Sequence, residues 1–213
     1  MLDVQNITKK FKDELVLDDV SFQLSQGEVI LLSGENSSGK TTLLLSAAGL
    51  IPVQQGKVIL DGWDVQKEPQ KLRGQIAYVS QDPSLINSLS VRDNLKYWAA
   101  ASGLSNQQYK EQSQKLTESL GLESVMGKKI NSLSGGMKKR VNLAASLFCT
   151  PKLLLLDEPF ANVDRETKTA IYALLEGYRK AGCSMILVSH IDKEAGSFAD
   201  RSLTLQGGKL KEG

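Results

Sequence analysis

The stretch "GENSSGKTT", Gly34–Thr42, follows the apolar segment "VILLS", Val29–Ser33, and precedes a segment rich in Leu and Ala that runs to Leu50. It fits the pattern G-x-x-x-x-G-K-[ST], in which a glycine-rich loop joins a strand to a helix. Backbone N–H groups of such a loop point inward at an anion, and the dipole of the following helix adds to the attraction. The order strand, loop, helix therefore predicts a phosphate-binding loop in an α/β domain.

The side chains of this loop indicate which phosphate compound it binds. Lys40 supplies a mobile charge for the β- and γ-phosphates of a nucleoside triphosphate, and the Thr41 hydroxyl suits Mg²⁺, which keeps mostly water and phosphate ligands. Glycine is needed where the backbone turns tightly or approaches the phosphates. Alone, the motif does not say what the nucleotide is used for. The candidate phosphate-binding residues are Gly34, Glu35, Asn36, Ser37, Ser38, Gly39, Lys40, Thr41 and Thr42.

The bulk composition limits the function classes. The chain has 213 residues, enough for one large α/β domain or one domain with an inserted subdomain. Lys plus Arg number 26 and Asp plus Glu number 24, and this near-balance argues against a general nucleic-acid binder. Cys149 and Cys183 have neither metal nor redox spacing, which favours buried apolar residues in a reducing compartment.

No stretch is long enough to cross a membrane. The longest apolar-rich segment, Leu43–Val53, is interrupted by Ser46 and Pro52, whereas a bilayer needs about 20 apolar residues. We therefore expect a soluble chain whose contact with a membrane comes through a partner.

Short strands and one helix are predicted in the first part of the chain, and a helical insertion from Val91 to about Leu122. The last third alternates helix and strand, which predicts a parallel sheet with helices on both faces. The predicted strands are Leu2–Ile7, Val16–Leu24, Val29–Ser33, Lys57–Leu60, Gln75–Ser80, "KLLLL" (152–156), "CSMILVS" (183–189) and a final "RSLTLQ" (201–206). The predicted helices outside the insertion are Gly39–Leu50, Gly135–Phe148 and Glu166–Ala181.

An acidic pair ends one of these strands. The segment "LLLLDEP" finishes in Asp157-Glu158-Pro159, and ligand sites of open α/β sheets lie beyond the carboxyl ends of strands. Asp157 is placed to hold Mg²⁺ directly or through water, and Glu158 is then available to polarise the attacking water. An isolated pair of this kind would indicate a solvated turn, but a phosphate loop in the same chain favours the catalytic interpretation.

A second glycine-rich stretch, "LSGGM", Leu133–Met137, also precedes a helix. Ser134 resembles an N-cap, and the unpaired N–H groups that follow it would make a second anion site. Lys138, Lys139 and Arg140 come next, where cations oppose the helix dipole. Either a nearby triphosphate offsets that cost, or these residues form a solvated basic face.

With these motifs in this order, the chain resembles the nucleotide-binding subunit of an ATP-binding-cassette (ABC) transporter over essentially all of its length. The resemblance implies an α/β fold of the P-loop NTPase class, with a mostly parallel central sheet, an N-terminal antiparallel β-subdomain and an inserted α-helical subdomain. It implies one domain, 1–213, whose helical subdomain spans about 84–145 and carries the signature "LSGGM".

The same resemblance assigns roles to four further positions and shows one departure from the family pattern. Gln81, in "VSQDPSL", would ligand Mg²⁺ or the attacking water. His190, the only histidine, would hydrogen-bond the γ-phosphate and hold the water and Glu158. Asp164, in "ANVD", would cross a dimer interface, cap the following helix, or do both. Phe11 would stack on adenine or cover the sheet edge. Ser37 stands where the family commonly has Gly.

The implied function is ATP binding and hydrolysis with Mg²⁺ in a head-to-tail dimer, either a homodimer or a heterodimer with a paralogue. Ser134, Gly135 and Gly136 of one subunit would cover the γ-phosphate bound by the other. The implied partner is a membrane-spanning permease subunit and not a nucleic acid, which would place the chain at the cytoplasmic face of the cell membrane.

The subfamily is less strongly indicated. The segments "LSVRDNLKYWAAASGL" and "LSGGMKKRVNLAASL" are similar to small multidrug-exporter ATPases, and less closely to haem-exporter ATPases. Two alternatives remain open: a soluble ABC-type ATPase of translation or DNA repair, and an ordinary P-loop kinase. The first usually carries two cassettes or a long coiled-coil insertion, and the second has no use for "LSGGM". The transported substrate does not follow from this chain.

Overall fold

The structure is a computed structural model that describes residues 1–189 and 193–212. These residues form two compact units. The first contains Met1–Tyr78, Pro151–Glu158 and the described residues from Arg179 onwards, and the second contains Val79–Thr150 and Pro159–Tyr178.

The first unit begins with an antiparallel sheet of four strands in the order β2-β1-β4-β5. Leu2 pairs with Leu24 on one side and with Leu60 on the other, so leucines from three strands meet at one position. Leu2 and Val4 are buried whereas Asp3 and Gln5 are less so, as the two-residue period of a half-buried strand requires. The strands are β1 (Leu2–Phe11), β2 (Glu14–Leu24), β4 (Gln55–Leu60) and β5 (Trp63–Asp64).

A second sheet of six strands has the order β10-β9-β3-β8-β7-β6. Strand β3 runs parallel to β8 and β9, and β7 runs parallel to β8. Every residue of β3, β7 and β8 is buried, as in a parallel sheet covered on both faces. The strands are β3 (Val29–Ser33), β6 (Ile76–Val79), β7 (Leu153–Asp157), β8 (Ser184–Val188), β9 (Arg201–Gln206) and β10 (Lys209–Glu212).

The prediction that "RSLTLQ" is the final strand was wrong, because β10 follows it as an antiparallel partner. Gln206 pairs with Lys209, and the two residues between them, Gly207 and Gly208, both have positive φ. A Gly-Gly dipeptide with this geometry makes a two-residue hairpin turn. The polar sequence "KLKE" hides the strand from an apolar pattern.

The first unit has an apolar core to which both sheets and the helix α1 (Lys40–Ala47) contribute, and it also contains the short helix α6 (Lys193–Phe198). Leu17, Leu43 and Leu155 are fully buried members of this core. The first helix is shorter than predicted because Gly49, with positive φ, ends it.

The second unit is helical, with α2 (Val91–Ala101), α3 (Asn106–Ser119), α4 (Gly135–Ser146) and most of α5 (Arg165–Lys180). Ser90 caps α2, and Ser105 with Gln108 forms a capping box on α3. The predicted insertion is therefore helical, but it is two helices separated at Gly103, which has positive φ.

Two further points concern predictions from composition. None of the helices in the described part of the chain is long and apolar enough to span a membrane. Neither cysteine forms a disulfide; Cys183 is buried as predicted, whereas Cys149 is only half-buried.

Candidate functional site

The phosphate loop connects β3 to α1, and its backbone requires glycine at two positions. Gly34 has φ +148°, and a Cβ there would lie 2.4 Å from the carbonyl oxygen of Leu205. Gly39 has φ +101°, and a Cβ there would lie 3.0 Å from the carbonyl oxygen of Val16. Both positions exclude side chains because neighbouring backbone already fills the space.

Lys40 closes the loop on itself. Its buried Nζ donates to the carbonyl oxygen of Gly34 at 2.9 Å and to that of Glu35 at 2.7 Å. The Ser38 hydroxyl is buried and has no hydrogen-bond partner within residues 1–189 and 193–212. The Lys40 ammonium thus holds the loop in shape through neutral carbonyl oxygens. A bound anion would attract this ammonium more strongly than the carbonyl oxygens do.

Two hydroxyl groups converge on one carboxylate at the end of β7. Thr41 Oγ1 donates to Asp157 Oδ2 at 2.8 Å, and the Tyr78 phenol donates to the same oxygen at 3.3 Å. Burial, with the negative charge of Asp157 second, raises the pKa of the Tyr78 phenol well above its usual value, so the phenol stays protonated as a donor. Asp157 is only 2% exposed.

This donor set fits Mg²⁺, which prefers one or two carboxylate or hydroxyl oxygens and takes its other ligands from phosphates and water. Thr41 Oγ1 and the Asp157 carboxylate supply such oxygens within 2.8 Å of each other. No group of three or more His, Cys, Asp or Glu residues that could hold a metal occurs in the part of the chain that the structure describes.

Glu158 has an unusual backbone. Its φ of +49° lies in the left-handed region, which costs a non-glycine residue free energy and is commonest at functional sites. Its N–H donates to the carbonyl oxygen of Val188 at 3.0 Å, which fixes it beyond the neighbouring strand. His190, the predicted switch histidine, lies outside the described residues.

Two cavities open beside the phosphate loop in the first unit. One of about 670 Å³ is lined by Gly34, Glu35 and Asn36 together with Ser189 and Thr204 and some neighbours. A second of about 230 Å³ has Ser37 and Ser38 on one side and Glu14 to Val16 of β2 on another.

Phe11 ends β1, beside the start of β2 that lines the second cavity. It is the cross-strand partner of Glu14, which lines that cavity, and its side chain is 48% exposed. The exposed ring and the phosphate loop therefore lie within the same unit, with the cavity bordered by Glu14, Ser37 and Ser38.

The second glycine-rich stretch opens helix α4 in the second unit. The Ser134 hydroxyl accepts from the Met137 N–H at 3.3 Å, so Ser134 is an N-cap as predicted. A Cβ at Gly135 would meet no atom within 4 Å, whereas one at Gly136 would lie 3.2 Å from Asp164 Oδ2 and from Thr167 Oγ1. Only Gly136 is required by the packing of its own unit.

Asp164 caps α5, as one of the two predicted interpretations requires. Its Oδ1 accepts from the Thr167 N–H at 2.7 Å, and its Oδ2 accepts from the Thr167 hydroxyl at 3.1 Å. The backbone hydrogen bond from Thr167 lowers the pKa of the Asp164 carboxyl, which keeps the cap ionised near neutral pH.

Arg140 is not part of a solvated basic face. It is 6% exposed, and its guanidinium donates to Thr167 Oγ1 at 3.0 Å, to the Leu120 carbonyl oxygen at 3.2 Å and to Glu166 Oε1 at 3.2 Å. The Arg140 side chain thus joins α4 to the polar start of α5 within the second unit. Lys138 and Lys139 are half-buried.

Gln81 is exposed and lies in the second unit, in a loop that α4 anchors. The buried side chain of Asn142 accepts from the Ser84 N–H at 3.0 Å and donates to the Ser80 carbonyl oxygen at 3.3 Å. Asn142 was missed by sequence reasoning, as was Tyr78. An asparagine within the apolar run "RVNLAAS" is the signal that could have found the first.

The structure thus groups the predicted residues in two sets. The phosphate loop Gly34–Thr42, Phe11, Asp157 and Glu158 belong to the first unit, and Gln81, Ser134–Gly136 and Asp164 belong to the second.

Comparison with known proteins decides the family. A family model described as "ABC transporter" matches residues 17–161. This chain belongs to the ABC transporter family. Solved structures agree with this. An ATP-binding subunit of an ABC transporter has a TM-score of 0.90 and 28% identity, covering 99% of this chain and 88% of its own.

A dimeric ATP-binding cassette in a post-hydrolysis state, bound to ADP and Pi, has a TM-score of 0.89 and 26% identity, covering 100% of this chain and 98% of its own. These likenesses confirm the predicted fold: an ABC cassette with an antiparallel N-terminal sheet, a mixed sheet rich in parallel strands and a helical insertion.

Curated relatives carry out transport in both directions. The molybdate/tungstate import ATP-binding protein WtpC of Pyrococcus abyssi is 36% identical over 99% of this chain, but this chain spans only 61% of its length. The linearmycin resistance ATP-binding protein LnrL of Bacillus subtilis is 31% identical over 99% of this chain and 68% of its own. The lipopolysaccharide export system ATP-binding protein LptB of Haemophilus influenzae is 32% identical, over 99% and 88%.

Proposed function

We propose that this ABC-family chain is the ATP-binding and ATP-hydrolysing subunit of a transporter, and that it drives a separate membrane-spanning permease subunit. The observation that carries the proposal is the self-closed phosphate loop, whose buried Lys40 donates to two carbonyl oxygens of the loop and whose Thr41 donates to Asp157. Relatives named as ATP-binding proteins of import, export and resistance systems support it.

In the first unit, Lys40 would exchange the carbonyl oxygens of Gly34 and Glu35 for the β- and γ-phosphates. Thr41 and Asp157 would hold Mg²⁺, which when bound neutralises charge on the phosphate oxygens. Glu158, presented at the strand end by its left-handed backbone, would polarise the attacking water. Phe11 would stack on the adenine beside the cavity that Glu14 lines.

In the second unit, the start of α4 would bind the γ-phosphate held by another subunit. Gly135 supports this proposal because a Cβ there would meet nothing within 4 Å in residues 1–189 and 193–212, which leaves the start of α4 open to a ligand. The solved dimeric cassettes support a dimer of ATPase subunits, here either of two copies or of this chain with a paralogue. ATP that binds the closed dimer better than the open one shifts the population towards closure, which can move a partner.

We further infer that the chain works as one functional domain with Gln81 and His190 completing the site, at the cytoplasmic face of a membrane through its permease. Export of a drug-like substrate is favoured by the likeness of 89–104 and 133–147 to exporter ATPases and by the relative LnrL. No observation favours the alternative of a soluble ATPase in translation or DNA repair, and the near-balanced charge argues against nucleic acid.

The first experiment tests hydrolysis and dimerisation together. Glu158→Gln should bind Mg-ATP, hydrolyse it at least about 100-fold more slowly and accumulate as a dimer by light scattering, because binding remains while water activation is lost. Lys40→Ala is the matched control, which should stay monomeric because it loses ATP affinity. A Glu158→Gln protein that is saturated with Mg-ATP and remains monomeric would contradict the head-to-tail dimer.

A second experiment separates the two loops. Ser134→Ala should keep the ATP affinity of the monomer and lose turnover, whereas Lys40→Ala should lose the affinity itself. Equal loss of monomer affinity in both variants would rule out a signature that acts on another subunit. Purification from native membranes should recover a membrane-spanning partner, and stimulation of the ATPase by ribosomes or DNA with no such partner would favour the alternative.

A further inference from the structure

Lys9 has no role in the proposed site, but it contacts Phe11, which does, on the same strand β1. Two residues apart on a strand, they lie on the same face. Lys9 Nζ is 4.8 Å from the centroid of the Phe11 ring and donates to the Pro52 carbonyl oxygen at 2.6 Å. Lys9 is only 6% exposed, whereas Phe11 is 48% exposed.

A buried ammonium needs compensation for its lost hydration. Lys9 obtains it from one carbonyl oxygen and from the negative face of an aromatic ring. Because Pro52 fixes the ammonium and the ammonium attracts the ring, an exposed phenylalanine that could adopt other rotamers is held in one place. The cation lies over the ring, and about half of the phenylalanine surface remains exposed beside it.

Phe11 lies beside the start of β2, which borders the phosphate loop, where a nucleotide base would be expected. Phe11 is the cross-strand partner of Glu14, and Glu14 lines the cavity of about 230 Å³ that Ser37 and Ser38 of the phosphate loop also line. A planar ligand joined to a phosphate chain in that loop can therefore meet the ring. Aromatic faces bind bases by stacking, and a cation behind the ring draws π-electron density away from the exposed face.

We propose that Lys9 is a positioning residue for binding of the base: Lys9 holds Phe11 as a platform on which the base stacks, and Lys9 does not affect binding of the phosphates. The proposal rests on the proposed function, because it assumes a nucleoside triphosphate at Gly34–Thr42. Under this proposal, Lys9 and Phe11 contribute to the free energy of binding through the base, and Lys40 contributes through the phosphates.

The experiment compares a ligand with a base to one without it. Binding of Mg-ATP and of magnesium tripolyphosphate to the full chain is measured by calorimetry for wild type, Lys9→Met and Phe11→Ala, singly and combined. Lys9→Met should weaken ATP binding about 3- to 10-fold and leave tripolyphosphate unchanged. In the Phe11→Ala background, Lys9→Met should have no further effect. Lys71→Met is the matched control, since Lys71 Nζ lies 5.1 Å from the Trp63 ring, and it should change neither affinity.

Each other outcome counts against the proposal. Equal weakening of ATP and tripolyphosphate would make Lys9 a support of the sheet, and an effect that persists without Phe11 would remove the ring from the explanation. If Lys9→Met does not fold, Lys9→Arg takes its place: it keeps the cation and should keep most of the ATP affinity, and a loss of ATP affinity of tenfold or more with tripolyphosphate bound normally would contradict the platform. A wild-type chain that binds neither ligand refutes the proposed function itself.

Discussion

The two glycine-rich loops of this chain differ in the contacts that each makes within its own unit: the first is closely packed there, and the second is open. In the loop Gly34–Thr42, Lys40 binds two carbonyl oxygens, Thr41 binds Asp157, and Gly34 lies against the Leu205 backbone. At the start of α4, Gly135 faces no atom within 4 Å. A glycine that the fold requires says little about a ligand, whereas Gly135 can be replaced without a clash, so a substitution there tests for a ligand outside the chain.

The largest expected effect comes from the loop that is held by its own unit. Gly34→Ala places a Cβ 2.4 Å from the Leu205 carbonyl oxygen at φ +148°, so we expect the free energy of unfolding in urea to fall by more than about 3 kcal/mol. Gly62→Ala is the control, because Gly62 also has positive φ but a Cβ there meets nothing within 4 Å; it should cost about 1 kcal/mol. Equal losses would show that strain alone, and not the close approach, requires Gly34.

The next largest effect is expected at Arg140, whose buried contacts hold α4 in the second unit while the N-terminus of the helix is open. Arg140→Met removes a buried guanidinium from Thr167 and from the Leu120 carbonyl oxygen, which should lower the free energy of unfolding by about 2–4 kcal/mol. The bond to Glu166 contributes little to this, since that carboxylate is 86% exposed. Lys138→Met should change stability by less than about 0.5 kcal/mol. An Arg140→Met loss below that of the control would contradict the anchoring role.

The sharpest test of the comparison uses adjacent glycines. Gly136→Ala should cost about 1 kcal/mol of stability, because its Cβ would lie 3.2 Å from Asp164 and Thr167 oxygens. Gly135→Ala should leave the thermal midpoint unchanged or raise it slightly, as alanine is the better helix former, and yet lower ATPase turnover about tenfold or more. Full turnover in Gly135→Ala would show that this glycine serves no ligand.

The sequence pattern correctly predicted a strand and two helix caps that depend only on residues close together in the chain. Strand β3 matches its predicted range Val29–Ser33, because a fully apolar run beside glycine has few other solutions. The N-caps Ser134 and Asp164 were also predictable, since a cap acts over three residues.

Long-range contacts were not predictable in this way. The buried position of Arg140 was not predicted, because its partners Leu120 and Thr167 lie 20 and 27 residues away in the chain. The contact of Tyr78 with Asp157, across 79 residues, gives no local signal either. The polar strand β10 was missed because its apolar side shows only Leu210.

The smallest expected effect lies again in the phosphate loop, at a position where its compact geometry carries strain. Ser37 has φ +64°, and a left-handed backbone costs a residue with a Cβ about 1 kcal/mol. Ser37→Gly removes this cost but gives the unfolded chain more freedom, so we expect a net gain of about 0.5 kcal/mol in urea denaturation. Asn36→Gly, next to it and without positive φ, should instead lose a similar amount. If Ser37→Gly also destabilises the protein, the serine side chain stabilises the loop through a contact of its own, and a fourth side chain besides those of Lys40, Thr41 and Asp157 helps to hold the loop in shape.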